Sequence, residues 1–231
     1  PVVKDKGSFI ISGRRTYADM FMALSSDPLK KNTKLYFYDL NAKANYRIND
    51  KNRIYFSGYY GKDVFANDFA GMYFGNRTFT FRWNHLFSKK LFSNFTLVNS
   101  HYFYDLGTPE GSTPYFNWLS FLEDYGFKGD FIWYPAPEHT FRYGISSYYH
   151  IIKPGMITSK DQDGNNNKSE LSNNHALENG LYFSGESKFG ERFAFRYGLR
   201  YSMFLNTGPA TVLNYNSEYQ VVDSTIYEKW D

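Results

Sequence analysis

Apolar and polar residues alternate along this chain with a period of two, and the alternation returns in one segment after another. It is clearest over 35–48. One set of positions there carries Tyr36, Tyr38, Leu40, Ala42, Ala44, Tyr46 and Ile48, without a charge. The other set carries Leu35, Phe37, Asp39, Asn41, Lys43, Asn45 and Arg47. Successive side chains of a strand point to opposite faces, so this segment predicts a strand with one apolar and one polar face. Aromatics stand at both ends of the apolar set, with small residues between them. A bilayer-spanning strand has that arrangement, because interfacial rings flank its hydrocarbon section.

The same pattern closes the series. Phe193, Phe195, Tyr197, Leu199, Tyr201, Met203 and Leu205 alternate with Ala194, Arg196, Gly198, Arg200, Ser202 and Phe204. Segments 139–152 and 177–189 repeat it, and weaker versions occupy about 8–17, 53–63, 77–86, 92–104 and 118–134. That makes about nine strands, many of them as long as the roughly 9–11 residues that a tilted strand needs to cross the hydrocarbon layer. The connections alternate as well. Those at 49–52, 88–90, 135–138 and 190–191 are short. Those at about 18–33, 64–76, 105–117 and 153–176 are long, with a tail from 206. In an outer-membrane barrel short turns are periplasmic and long loops extracellular, which orients the strands.

The expected fold class is therefore all-β: an antiparallel transmembrane β-barrel segment, with 1–231 a partial barrel domain. Nine is an odd count where single-chain bacterial barrels have even ones. An open sheet edge also cannot stand in lipid. Further strands are expected on both sides: Pro1–Val3 reads as the end of one strand, and Glu228-Lys229-Trp230-Asp231 as part of an external loop.

Composition narrows the alternatives. Aromatics make up 21% of the 231 residues, with 22 Tyr and 23 Phe, yet the mean hydropathy is −0.56. A barrel wall gives both at once, since only alternate residues meet lipid. No apolar run is long enough for a transmembrane helix. The net charge of +3 comes from scattered residues, 26 basic against 23 acidic, so no nucleic-acid partner is expected. With no Cys there is neither a disulfide framework nor a Cys-ligated metal. The chain starts without a signal sequence, so any targeting segment is expected to have been lost already.

The stretch Lys4-Asp5-Lys6-Gly7-Ser8-Phe9-Ile10-Ile11-Ser12-Gly13-Arg14-Arg15-Thr16-Tyr17 resembles an early barrel strand of TonB-dependent receptors of the Bacteroidota type. Tyr36-Phe37-Tyr38-Asp39-Leu40-Asn41-Ala42-Lys43, the Asn49-Asp50-Lys51-Asn52-Arg53 turn and Phe79-Thr80-Phe81-Arg82-Trp83-Asn84-His85 are similar to later parts of that family's wall. The resemblance implies the middle of a barrel of about 22 strands. It implies an active importer of a ferric siderophore, a corrinoid or an oligosaccharide in the outer membrane of a Gram-negative bacterium. A plug domain and a segment contacting the TonB complex would lie outside this stretch. The other implied partners are outer-membrane lipid with its lipopolysaccharide and a surface lipoprotein that captures substrate. The alternative is a structural, assembly or secretion barrel without transport.

The candidate site is the polar face. Asp39, Asn41, Lys43, Asn45 and Arg47 are expected to line the lumen, together with Arg14, Asp124, Lys128, Asp130, Arg142, Arg196 and Arg200. Against them, Tyr36, Tyr38, Leu40, Ala42, Ala44 and Tyr46 are expected to face lipid, as are Phe193, Phe195, Tyr197, Leu199 and Tyr201. Of the adjacent Arg14 and Arg15 one must face outward, and Arg15, late in its strand, is placed at the interface, where snorkelling removes most of its cost. The 161–167 stretch has alternate oxygen donors, but an EF-hand needs Gly at position 6 and Glu at position 12, where Asn166 and Ser172 stand. It reads as a hydrophilic external loop. Ser146 and His150 share a face without any further sign of a catalytic site, and no enzyme or cofactor is expected. Tyr102, Phe103, Tyr104, Tyr115, Phe116 and Trp118 form a candidate stacking platform or girdle.

Overall fold

In the computed structural model, described for residues 3, 4 and 6–228, the chain is an antiparallel sheet followed by a separate hairpin. The sheet strands are β1 (Gly7–Arg15), β2 (Lys34–Asn49), β3 (Asn52–Ala66), β4 (Gly71–Leu86), β5 (Leu91–Gly107), β6 (Tyr115–Ala136), β7 (His139–Lys160), β8 (Asn166–Glu170), β9 (Asn174–Phe189) and β10 (Phe193–Asn206). Nine of them run side by side in chain order, β1 through β7 and then β9 and β10, while β8 pairs with the far end of β7. Each strand is thus the antiparallel neighbour of the next, and the nine strands read from the alternation are these nine. A bridge joins Val3 to Gly7. Pro1, Val2, Asp5 and 229–231, which carry part of the readings at the two ends, lie outside the described residues.

The short turns stand where the sequence puts them. Asn49 Oδ1 accepts from the Lys51 backbone N–H and from Asn52 Nδ2 (3.0 and 2.9 Å) and closes the first. Ser88 Oγ accepts from the backbone N–H groups of Lys90 and Leu91, both at 3.2 Å. The last turn holds Gly190 at φ +63, a left-handed conformation that glycine adopts without steric penalty.

The long connections differ from expectation. β3 runs to Ala66 and β4 starts at Gly71, so most of the proposed 64–76 loop is strand. Likewise β5 extends to Gly107, β6 begins at Tyr115 and β7 reaches Lys160. The 18–33 loop holds two short helices, α1 (Ala18–Ala23) and α2 (Pro28–Lys31), the latter capped by Asp27 accepting from the Leu29 N–H. The tail from 206 forms a hairpin, β11 (Ala210–Tyr215) with β12 (Val221–Tyr227), outside the main sheet.

There is no thick core, as befits a single sheet: Val64 and Ala176 are the buried apolar residues among those described. Cohesion comes from the backbone ladder and from rings covering glycine. Tyr148 lies over Gly126, Phe103 over Gly75 and Tyr197 over Gly185, so closely that a Cβ at any of these glycines would strike the ring. Cross-strand ring pairs such as Phe131 and Tyr143, 5.2 Å apart at an interplanar angle of 9°, add to it.

The turns are also staggered. The pairing row that starts at Asn52, the first residue of β3, passes through His85, Ser93, Phe131, Tyr143 and Phe183 to Leu199. Leu199 stands six residues beyond Phe193, where β10 begins, after six strand steps.

Candidate functional site

Residues directly opposite in an antiparallel pair share a face, so the register carries a face from one strand to the next. Starting from Asn45 it passes through Tyr55, Arg82, Thr96, Lys128, Ser146 and Gly180 to Ser202. Starting from Tyr46 it passes through Ile54, Trp83, Phe95, Gly129, Ile145 and Leu181 to Tyr201. One row is polar and the other apolar across eight strands. All twelve residues of the candidate polar set fall on the first face, and all eleven of the candidate apolar set on the second. The two ends of the chain, read separately from sequence, thus belong to the same pair of surfaces.

The polar face is internally paired. Arg14 Nε lies 2.5 Å from Asp39 Oδ2, and Asn41 Nδ2 donates to Asp39 Oδ1 at 3.3 Å. Asp39 itself is almost wholly covered. Asn45 donates to Ser8 Oγ at 2.6 Å, and Asn84 donates to Asn94. Farther round, Asp130 accepts from the Tyr182 hydroxyl at 2.5 Å and has Lys128 Nζ at 3.2 Å. His150 Nδ1 stands 2.7 Å from Asp124 Oδ1, with Glu178 3.7 Å from its other nitrogen. Arg196 pairs with Glu186 at 3.0 Å. His150 is thus engaged with carboxylates, and Ser146, four positions along the same strand, is no partner for it. Lys43, Arg142 and Arg200 lie on the same face, where Arg200 Nε donates to Ser202 Oγ at 3.1 Å.

On the apolar face, among the described residues, Asp, Glu, Lys and Arg are absent between the short turns and a clear upper boundary. The run is Ile54 to Tyr60 in β3, ended by Lys62, and His85 to Phe79 in β4, ended by Arg77. In β6 it is Trp133 to Tyr125, ended by Glu123. In β9 and β10 no such residue interrupts it. Its rings and aliphatic side chains are open to the surroundings: Phe9, Phe195 and Leu199 are 63%, 57% and 78% exposed. Arg15 is on this face, opposite Tyr38. Its guanidinium lies 4.5 Å from the Tyr36 ring centre and 2.6 Å from Asp19. His85 and His139 stand near the short turns and bond Asn52 Oδ1 and Ser187 Oγ at 2.8 and 2.9 Å.

Above the boundary the contrast between the two faces fades, which the sequence pattern did not reveal. Leu35, Phe65, Met72, Leu106, Trp118 and Ile157 are successive partners and form an apolar row on the polar face. Lys62, Asp105 and Lys153 stand on the opposite one, Lys153 bonded to Glu170. The six-aromatic platform is accordingly divided. Tyr102, Tyr104 and Trp118 share the polar face, whereas Phe103 points away from them. In the 161–165 turn Asp161 is consumed locally: its two oxygens accept from the Asn165 backbone N–H and Nδ2 at 2.8 and 3.0 Å. Those bonds hold the carboxyl below its usual titration range.

No protein-family model and no curated protein matches this chain. Solved structures do. The copper transporter OprC superposes on 90% of the chain with a TM-score of 0.67 at 12% identity, over 34% of its own length. The outer membrane transporter YddB from Escherichia coli covers 74% of the chain with a TM-score of 0.53 at 10% identity, over 28% of its length. BauA, the ferric preacinetobactin receptor from Acinetobacter baumannii, covers 86% with a TM-score of 0.52 at 11% identity, over 39% of its length. The chain therefore spans about a third of these proteins. What is shared at such identities is the fold: the sheet is a length of outer-membrane β-barrel wall, not closed on itself.

Proposed function

We propose that the chain forms the middle of the barrel wall of a TonB-dependent outer-membrane importer, its polar face lining the lumen and its apolar face meeting lipid. The observation that carries this reading is the register, which holds one polar and one apolar surface continuous from β2 to β10. The fold shared with transporters and a receptor supports it, as does the resemblance of the first hundred residues to TonB-dependent receptors. In this reading the short turns are periplasmic. The longer connections and β11–β12 are extracellular, a plug domain fills the lumen, and the TonB complex and a surface lipoprotein act through parts beyond this wall.

The paired charges on the lumen face suit contact with a plug or with water better than catalysis, because Asp39, Asp124, Asp130 and Glu186 each have a local base or hydroxyl. The apolar row ending in Trp118 and Ile157 would border the mouth. The cargo is a large scarce nutrient: a ferric siderophore, a corrinoid or an oligosaccharide. Uptake of these three classes, measured in cells with and without the gene, tests the proposal. Loss of uptake of one class, reproduced by removing TonB, is expected. Unchanged uptake of all three would overturn it.

A further inference from the structure

The charges of the polar face are not spread evenly around the wall. From β6 to β10 acids stand beside bases: Asp130 with Lys128, Asp124 and Glu178 with His150, Glu186 with Arg196. From β2 to β4 they do not. Between Asp39 and the short turns this stretch of the face carries Lys43, Arg47, Arg53 and Arg82, and no Asp or Glu among the described residues. The register brings these cations together. Arg47 is directly opposite Arg53, Tyr55 is directly opposite Arg82, and Arg53 and Arg82 are diagonal neighbours. Opposed residues have Cβ atoms about 5 Å apart and diagonal ones about 7–8 Å, and like charges directly opposite destabilise a strand pair.

The wall itself does little to neutralise them. Asp50, at the turn, comes no nearer to Arg47 than 4.0 Å and is itself fully open to solvent. Lys43, Arg53 and Arg82 have no carboxylate within ion-pairing reach among the described residues. Their side chains border two adjoining hollows of about 440 and 420 Å³, which share Tyr55 and Arg82. Arg47, Arg53 and Asn84 line the first, and Lys43 the second. Hollows of a few hundred Å³ are the size of small-molecule sites. A guanidinium presents a rigid fork of donors that fits a carboxylate or a phosphate two bonds at a time. From β6 to β10 the same face neutralises its charge with acids on neighbouring strands. Over β2 to β4 the charge stays free for an anion that enters and leaves.

We propose that the short-turn end of the polar face over β2–β4 is a binding site for a polyanionic cargo, a ligand with at least two carboxylate or phosphate groups. Arg47, Arg53 and Arg82 grip those groups, Tyr55 and Asn84 lie between them, and Lys43 draws the ligand down from the middle of the wall. This rests on the reading of the polar face as the lumen of a transport barrel and adds the charge of what passes through it.

The test uses the complete receptor that carries this wall, purified in mild detergent and titrated calorimetrically at low ionic strength with citrate and with tripolyphosphate. The wild type should bind at least one of them. Citrate alone assigns a carboxylate cargo, tripolyphosphate alone a phosphate one. Arg47→Gln/Arg53→Gln/Arg82→Gln should weaken that binding about tenfold or more. Arg53→Gln alone should weaken it about threefold, which keeps the test decisive if the triple variant does not assemble. Lys31→Gln/Lys89→Gln/Lys160→Gln, an equal loss of charge outside the hollows, should leave it unchanged. A wild type that binds neither anion overturns the proposal, as does equal weakening by the two triple variants, which would reflect net charge only. An acidic segment of the plug as the occupant would show as a wild type that binds neither probe and a first variant that admits vancomycin into cells, and it overturns the proposal as well. Heat-modifiable migration in gels verifies that each variant is folded. A receptor that is folded and in the outer membrane but binds neither anion defeats this proposal alone. Failure to fractionate with the outer membrane defeats the reading beneath it.

Discussion

Below the level of Lys62 and Arg77 one face carries mostly rings and aliphatics and no Asp, Glu, Lys or Arg among the described residues, and the other face holds Asp39, Lys128 and Asp130. Above that level Lys62, Asp105 and Lys153 face outward, while Leu35, Phe65, Met72, Leu106 and Trp118 line the other face. The backbone ladder is the same in both regions. On the proposed orientation, what changes is the medium each face meets. In that orientation an oily exterior with a wet interior selects the first pattern, whereas a strand end with water outside and covering side chains inside tolerates charged and apolar residues on both faces.

The sharpest way to break this comparison is to place one cation in both regions. Leu199→Arg, in the middle of the outward belt, should cost about 2–4 kcal/mol and sharply reduce assembled barrel, and Ala42→Arg should behave alike. Asn41→Arg, one residue away on the other face, should leave assembly unchanged. Heat-modifiable gel mobility reads all three, and equal assembly would show that the faces are wrongly assigned. Leu119→Arg carries the same charge to the outward face above the boundary, where the penalty should be about 1 kcal/mol or less.

A smaller effect is expected on the polar face. Asp130→Ala leaves Tyr182 and Lys128 without their shared acceptor, and the urea midpoint should drop by an amount equivalent to about 1 kcal/mol. The smallest lies in the 161–165 turn. The Asp161 carboxyl titrates lower in the folded turn than in an unfolded chain, where its value is 3.8. Its contribution is therefore present above pH 3.8 and lost as pH falls through the lower folded value. Hydrogen exchange should show the Asn165 amide protected above that range and released below it. In Asp161→Ala it should be unprotected throughout.

How much of this was legible beforehand depended on contrast between faces. In β2 and β10 seven outward positions without a charge oppose a charged set, so period two was plain. In Val64-Phe65-Ala66 and Met72-Tyr73-Phe74-Gly75 both faces carry apolar residues, and alternation vanishes although the ladder continues. Those ends consequently read as loops. α1 is too short, at six residues, to display a helical period, and β11–β12 lacks the length of a membrane-crossing strand. For the candidate site, each polar residue could be put on a face from its own strand. Which ones touch could not, because the Tyr182–Asp130 and Asn45–Ser8 bonds depend on register between strands.

The stagger of the turns has a consequence for depth. A shift of one residue per strand is a climb of about 3.4 Å for each sideways step of about 4.8 Å, which tilts the strands by about 35°. Hydrogen-bonded neighbours consequently lie at different depths. On the proposed orientation, the row that leaves Asn52 beside a turn reaches Leu199 in the middle of the oil, so a single ladder of backbone bonds would be a staircase from water into hydrocarbon. A slip of register by two residues would keep every face correct and still move each side chain to the wrong step.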